Sequence, residues 1–291
     1  MTRVASLVLL GFAAVASGLG AQAPTAPGRA PHVVFVTGDD EYRSEISMPM
    51  IAAILEKRHG LRTSVAYAKP TPQTKDRIEG LEALATADLM VMFLRYRALP
   101  DVELNQILSY VKSGKPLVGF RTSTHAFNYP AGNPHTDLND GFGLDVWGQK
   151  WITHHGHTST TTVGVRPEAA SHPILRGVTP FAARSWLYHV APLNGPATLL
   201  LDGTAVNSEK AQKAEQFPPV QPVAWTRDHA GGRVFFTTLG HPGDFEQPSM
   251  RRLVVNGILW ALGRDVPAQG ADATPVTPYV APESFDLSKF K

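Results

Sequence analysis

The chain of 291 residues contains no cysteine. That absence excludes disulfides, thiol nucleophiles and cysteine-borne lipid anchors together. A charge excess is missing too: 27 Lys and Arg stand against 25 Asp and Glu, so nothing in the balance points to nucleic acid or to an anionic membrane surface. Long apolar runs are also scarce. The most extended one, Val4 through Val15 behind Arg3, falls short of the about 20 residues that a membrane span needs. Followed by small residues ending in Ala21-Gln22-Ala23, it reads as a signal peptide over residues 1–23, with export to the periplasm or the exterior and no membrane span in the mature protein. Its removal takes away one basic residue and leaves a net charge of +1 in place of +2.

With 43% apolar residues, the remainder can bury a large core, and one globular domain is the simplest organisation. Residues 24–31 form a Pro/Ala linker, 32–264 the domain, and 265–291 a Pro/Ala-rich tail that either wraps the surface or is disordered. Apolar runs at 33–37, 62–67, 88–94 and 117–120 read as buried strands separated by helices or crossovers, the pattern of a parallel sheet covered on both faces. Leu104, Ile107, Leu108 and Val111 mark one face of a helix over 101–113; Val255, Ile258, Leu259 and Leu262 mark another over 249–262. A helix capped by Ser44 or Ser47, with Met50, Ile51, Ile54 and Leu55 inward, connects the first two strands. Further strands are expected at 159–165, 197–201, 223–226 and 233–238. The segment 128–153, rich in Gly, Asn and Pro, is long enough to be a lid or binding loop.

Chemistry concentrates at 115–129, KPLVGFRTSTHAFNY, where an apolar strand runs into a polar, His-bearing turn. In open α/β sheets ligands sit beyond the carboxyl ends of the strands. Arg121 and His125 fall there, as do Asp39, Asp40, Glu41 and Tyr42 after the first strand and His241 after the strand at 233–238. Ser123 lacks the flanking glycines that let a nucleophile stand on a strained strand-to-helix turn.

Several blocks, in order and spacing, resemble the ThuA-like (trehalose-utilization) family, whose fold is related to class I glutamine amidotransferases: VFVTGDDEYRSE, DLMVMFLRYRALP, GFRTSTHAF, WITHHGH, SHPILRGV, GGRVFFTTLGHPGDF and MRRLVVNGILWALG. The resemblance spans about residues 31–264. It implies a flavodoxin-like three-layer α/β/α sandwich with a mostly parallel central sheet, and a carbohydrate context with no settled reaction. Without cysteine, thiol-dependent amidotransfer is excluded. One departure matters: many members carry an Asp-Glu pair before an aromatic where this chain has Ser185-Trp186-Leu187-Tyr188.

The residues therefore expected to act on a carbohydrate or keto sugar are His125, His241 and Asp40 in acid-base roles, with Tyr42, Arg121 and His155 holding the substrate. His154, His155 and His157 have the ligand chemistry for a divalent metal. In an extended segment, however, His155 and His157 share one face while His154 points away, which does not favour a closed metal site. Each group has a structural alternative: histidines tying loops to carbonyls, acids favouring a helix N-terminus, and arginines pairing with those acids. A non-catalytic carbohydrate-binding or scaffold module on the same fold is the competing reading.

Overall fold

The computed structural model describes residues 28–283. The expected signal peptide lies outside them. Strand β1 (His32–Gly38) leads through α1 (Ser44–His59) to β2 (Arg62–Ala68), and a short β3 (Ile78–Glu79) precedes β4 (Leu89–Leu94). Helix α2 (Asp101–Lys112) then returns the chain to β5 (Leu117–Phe120). After α3 (Leu138–Phe142) come β6 (Thr153–His154), β7 (Thr160–Val165), β8 (Phe181–Ala183), β9 (Tyr188–His189), β10 (Thr198–Val206), β11 (Val220–His229), β12 (Gly232–Thr237) and α4 (Pro248–Ala261).

Ten strands form one sheet in the order β3-β2-β1-β4-β5-β12-β11-β10-β7-β8, and β6 pairs with β9 apart from it. The four strands expected to be parallel are so: β1 pairs in parallel with β2 and β4, and β4 with β5. Alternate residues of these strands enter two separate cores. Val33, Phe35, Val91, Phe93, Val118 and Phe120 meet α1 and α4, whereas Val34, Val36, Met90, Met92 and Leu117 meet α2. Burial on both faces explains why the runs are apolar without alternation.

Beyond β12, which is parallel to β5, the sheet changes character: β11, β10, β7 and β8 are each antiparallel to their neighbours, as is β3 to β2. The sheet is therefore mixed rather than mostly parallel. The physical reason is visible at Ala230-Gly231, where two consecutive positive φ values, 50° and 83°, make a two-residue hairpin between β11 and β12. A tight hairpin can join only antiparallel strands.

Two local expectations also change. Neither Ser44 nor Ser47 caps α1; Arg43 stands at its start with φ 58° and no side-chain cap, and Ser44 accepts a hydrogen bond from the Asp39 N–H at 3.2 Å. Inward on α1 is Met48, fully buried, with Met50 only partly so. The long segment after β5 is divided: Tyr129, Phe142 and Trp147 anchor it in the core beside Phe127, whereas no residue of 130–141 is buried. Described tail residues pack as well: Val266 and Ala271 are buried, and Asn256 Oδ1 accepts from the Ala271 N–H at 2.9 Å.

Candidate functional site

At the carboxyl ends of β1, β4 and β5 the chain enters the left-handed region once after each strand, at Arg43 (φ 58°), Tyr96 (φ 51°) and Arg121 (φ 36°). Non-glycine residues adopt this conformation rarely, and such strain clusters where side chains are being aimed. The loops are tied together by Tyr96 N–H and Arg97 N–H, which donate to the carbonyls of His125 (2.9 Å) and Ala126 (2.7 Å).

Arg121 lies at the centre and is fully buried. Its Nη1 donates to the carbonyls of Thr238 (2.9 Å) and Trp186 (3.2 Å), and its Nη2 to the Tyr42 hydroxyl (3.1 Å). The rings of Tyr42 and Tyr188 lie against the guanidinium at 4.5 and 4.3 Å. Around it the rings form a chain: His241 to Tyr42 at 6.0 Å, Tyr42 to Trp186 at 6.2 Å, Trp186 to His154 at 5.0 Å, His154 to Trp151 at 5.7 Å, and Trp151 to His125 at 5.1 Å. His125 and His241 thus belong to one aromatic circuit above Arg121.

Two contacts bear on the tautomers of these imidazoles. Thr124 has one hydroxyl hydrogen and two acceptors within reach, the Arg121 carbonyl (3.1 Å) and His125 Nδ1 (3.0 Å). When the carbonyl takes that hydrogen, Nδ1 of His125 carries the ring hydrogen and Nε2 keeps a lone pair. His241 is fixed by the backbone. Its Nδ1 accepts from the Gly243 N–H at 3.0 Å, so in the neutral ring Nε2 bears the hydrogen. His154 matches His241, accepting from the Gly156 N–H at 3.0 Å. Neither Nε2 of His125 nor that of His241 has a partner among the described residues, and neither is sealed from solvent. Burial, helped by the charges of Arg95 and Arg121, holds His125 well below the usual histidine range. Burial lowers His241 too, against the opposing pull of Asp244, and takes His154 down to about 4, with His157 adding to the shift.

Asp40 stands to one side. Its carboxylate contacts Lys75, Arg95 (3.1 Å) and Arg97 (3.4 Å). Burial would raise its pKa, but the Lys75 hydrogen bond and the surrounding cations bring it below the ordinary value. A carboxylate so held is a poor proton acceptor, and its geometry fits the positioning of Arg95, whose guanidinium lies 4.6 Å from the Tyr96 ring. Asp39 is buried and accepts from the N–H groups of Glu41 (3.1 Å) and Tyr42 (2.9 Å), closing the turn; burial, with the Glu41 charge, raises it to about 7. Ser123 is buried, donating to the Met92 carbonyl at 3.0 Å, which fits a structural use.

The histidine cluster turns the other way from an extended strand. Gly156, at φ 112°, bends the chain, so the rings of His154 and His157 approach to 4.6 Å and both meet Trp186. His155 instead points away, buried, with Nδ1 2.9 Å from the Ser208 hydroxyl. Among the described residues no group of three or more His, Cys, Asp or Glu converges as a metal-ligand set.

Sequence reasoning missed the two residues that close the circuit, Trp186 and Tyr188, and the role of Asp244. Asp244 is fully buried and accepts from the N–H groups of Arg184, Ser185, Gly240 and His241 and from the Ser185 hydroxyl. It joins the loop after β12 to the loop after β8. A signal was present: the departure at Ser185-Trp186 falls where the two loops meet. Hollows of about 580 Å³ against α2 and about 470 Å³ beside Trp260 contain none of these residues.

A mixed α/β domain with imidazoles, tyrosines and a buried arginine gathered at the strand ends is the class that fold and site define. The family model for ThuA, trehalose utilisation, matches residues 32–261, and the chain belongs to that family. Among solved structures it is similar to a ThuA-like protein from Bacteroides uniformis, at 16% identity and TM-score 0.54 over 84% of this chain and 97% of that one. A ThuA-like protein from Parabacteroides merdae gives the same identity and TM-score over 85% and 96%. At that identity the likeness shows the fold alone. No curated protein matches in sequence.

Proposed function

We propose that the protein binds a carbohydrate, or the keto derivative of one, at this edge and moves a proton on it, with His125 as acceptor and His241 as donor. The observation that carries the reading is the pair of unpartnered Nε2 atoms at this edge: that of His241 bears a hydrogen in the neutral ring, and that of His125 offers a lone pair in the tautomer where Thr124 donates to the Arg121 carbonyl. They follow neighbouring strands, whose axes lie about 5 Å apart. The circuit of Tyr42, Trp151, Trp186 and Tyr188 offers the aromatic surface on which sugar rings pack. Family membership supports the carbohydrate context.

In a keto sugar, Nε2 of His125 takes the proton from the carbon beside the carbonyl. The C–H electron pair becomes the new C=C bond, the carbonyl pair moves onto oxygen, and the His241 Nε2–H donates a hydrogen bond to that oxygen. The lowered pKa of His125 keeps it unprotonated at neutral pH but also makes it a weak base, as a lowered pKa does Asp40, so the step depends on the His241 hydrogen bond to the developing oxyanion. Asp40 enters through Arg95 rather than as a base. A binding module without chemistry is the second reading, favoured by the cations that hold Asp40 and Glu41. Two further parts belong to the proposal: export, supported by the pattern of residues 1–23, and a flavodoxin-like three-layer arrangement of the parallel half, supported by its two cores.

The test is deuterium exchange next to the carbonyl of a panel of ketoglycosides in D₂O, followed by NMR. The native chain should catalyse exchange, and His125→Ala should not. Binding of the sugars without any exchange would leave only the binding module.

A further inference from the structure

We infer that the sugar taken by this site carries a carboxylate. The inference rests on the carbohydrate reading above and deepens it. Its starting point is a contrast between buried arginines: Arg97, with no exposure, lies 3.4 Å from Asp40, and Arg95 contacts both Asp40 and Glu41, whereas Arg121, equally buried, has no carboxylate within ion-pair distance among the described residues. Two carbonyls, one phenol and three rings hold Arg121, and its Nε has no hydrogen-bond partner among the described residues. Those groups keep the cation in place without neutralising it. In a buried, low-dielectric setting its positive field extends into the aromatic circuit and favours a negative charge there.

A second cation stands at the rim. The stem of Arg184 crosses Gly243 beside His241, its Cγ 2.9 Å from where a Cβ on that glycine would be. Arg184 is exposed, and its guanidinium makes no hydrogen bond or ion pair with the described residues. Asp244 is nearby but its oxygens are taken by backbone N–H groups and Ser185. Arg184 therefore presents an unused planar fork, the geometry that grips a carboxylate through two parallel hydrogen bonds. Arg184 supplies the grip and Arg121 the field. Together they assign an acidic sugar to the site in preference to a neutral one.

The experiment titrates the full chain with a panel of uronates, their methyl esters and the matching neutral glycosides, following intrinsic tryptophan fluorescence, to which Trp151 and Trp186 of the site contribute. Each ester keeps the shape of its acid and removes the charge. The acid should bind about tenfold more tightly than its ester, and the preference should fall to about twofold in Arg184→Gln and shrink in high salt. Esters or neutral glycosides that bind as tightly as the acids overturn this inference and leave the carbohydrate reading standing. Failure of every sugar to bind removes both. A native preference retained in R184Q, whose exposed position should leave folding intact, overturns the grip assigned to Arg184 and leaves the preference to Arg121 alone.

Discussion

From β2 to β12 the strands run parallel, and their carboxyl ends put forward Tyr42, Tyr96, Arg121, His125 and His241; from β11 to β8 they run antiparallel, and Trp186, with Tyr188 of β9, comes from the connection beyond β8. Trp151, His154 and His157 join them from the segment around β6. One half thus provides most of the charged and ionisable groups, and the other most of the aromatic wall. Parallel strands all end on the same side, so each crossover delivers another polar turn to one place. Hairpins alternate ends and bring only loops that travel to reach it.

If that division holds, chemistry and grip should separate under mutation. His125→Ala should lower α-deuterium exchange by about 10²–10⁴-fold with affinity changed only a few-fold. Trp186→Ala should do the converse, weakening binding about tenfold by fluorescence or calorimetry while exchange at saturation persists. Loss of both properties in both variants would erase the distinction.

The halves are joined at Asp244, so Asp244→Ala should cost about 3–5 kcal/mol by leaving several buried donors without acceptors. Denaturant titration measures it, and a loss under 1 kcal/mol would show that the loops are held by other means. Smaller is the effect of Gly119→Ala in β5, where an added Cβ would sit 2.7 Å from the Phe236 ring and 2.8 Å from Trp147. Overpacking of about 1–3 kcal/mol is expected, confined to the parallel half. An unchanged melting temperature would mean that Trp147 yields freely.

The mildest test is acidification. His125 and His154 have folded-state pKa values below 6.5, so their contribution is complete above pH 6.5 and is lost as pH falls, toward about 4 for His154. Asp39 works oppositely: raised to about 7, it contributes fully below its ordinary value near 4 and loses this as pH rises toward 7. Burial lowers several other histidines too, so the melting temperature should fall between pH 6.5 and 4, and Asp39→Asn should steepen the fall. A flat profile in both proteins would contradict the assigned burial of these rings.

The four parallel strands were readable because burial on both faces leaves continuous apolar runs, and so were His125 and His241, because polar residues directly after such runs have few other places to go. The antiparallel half was readable as strands at 159–165 and 223–226, but its direction hung on Ala230-Gly231, a weaker turn signal than Asn-Gly. The histidine cluster was misread for a local reason: the face-sharing rule assumes extended backbone, and Gly156 breaks it. Trp186 and Tyr188 could not be placed, since nothing local says that a loop after β8 will cross to the end of β5. The position of Asp40 at this edge and its pairing with nearby arginines were readable, and Arg95 and Arg97 do contact it, but Lys75 was not, because it reaches Asp40 from the connection after β2.

The tail carries a lesson about where this molecule stops. The last helix ends at Ala261, yet Val266, Ala271 and Ala273 are buried, Arg176, Arg251 and Arg252 bind backbone carbonyls of Val266, Ala273 and Ala271, and the Tyr279 hydroxyl donates to the Pro242 carbonyl at 3.1 Å. A shortened protein cut at Arg264 would keep every described strand and helix and still expose one side of α4, take one backbone partner from each of three arginines and release the residue that follows His241. The working unit is longer than its regular elements, and a stretch without helix or strand is part of what keeps His241 in register.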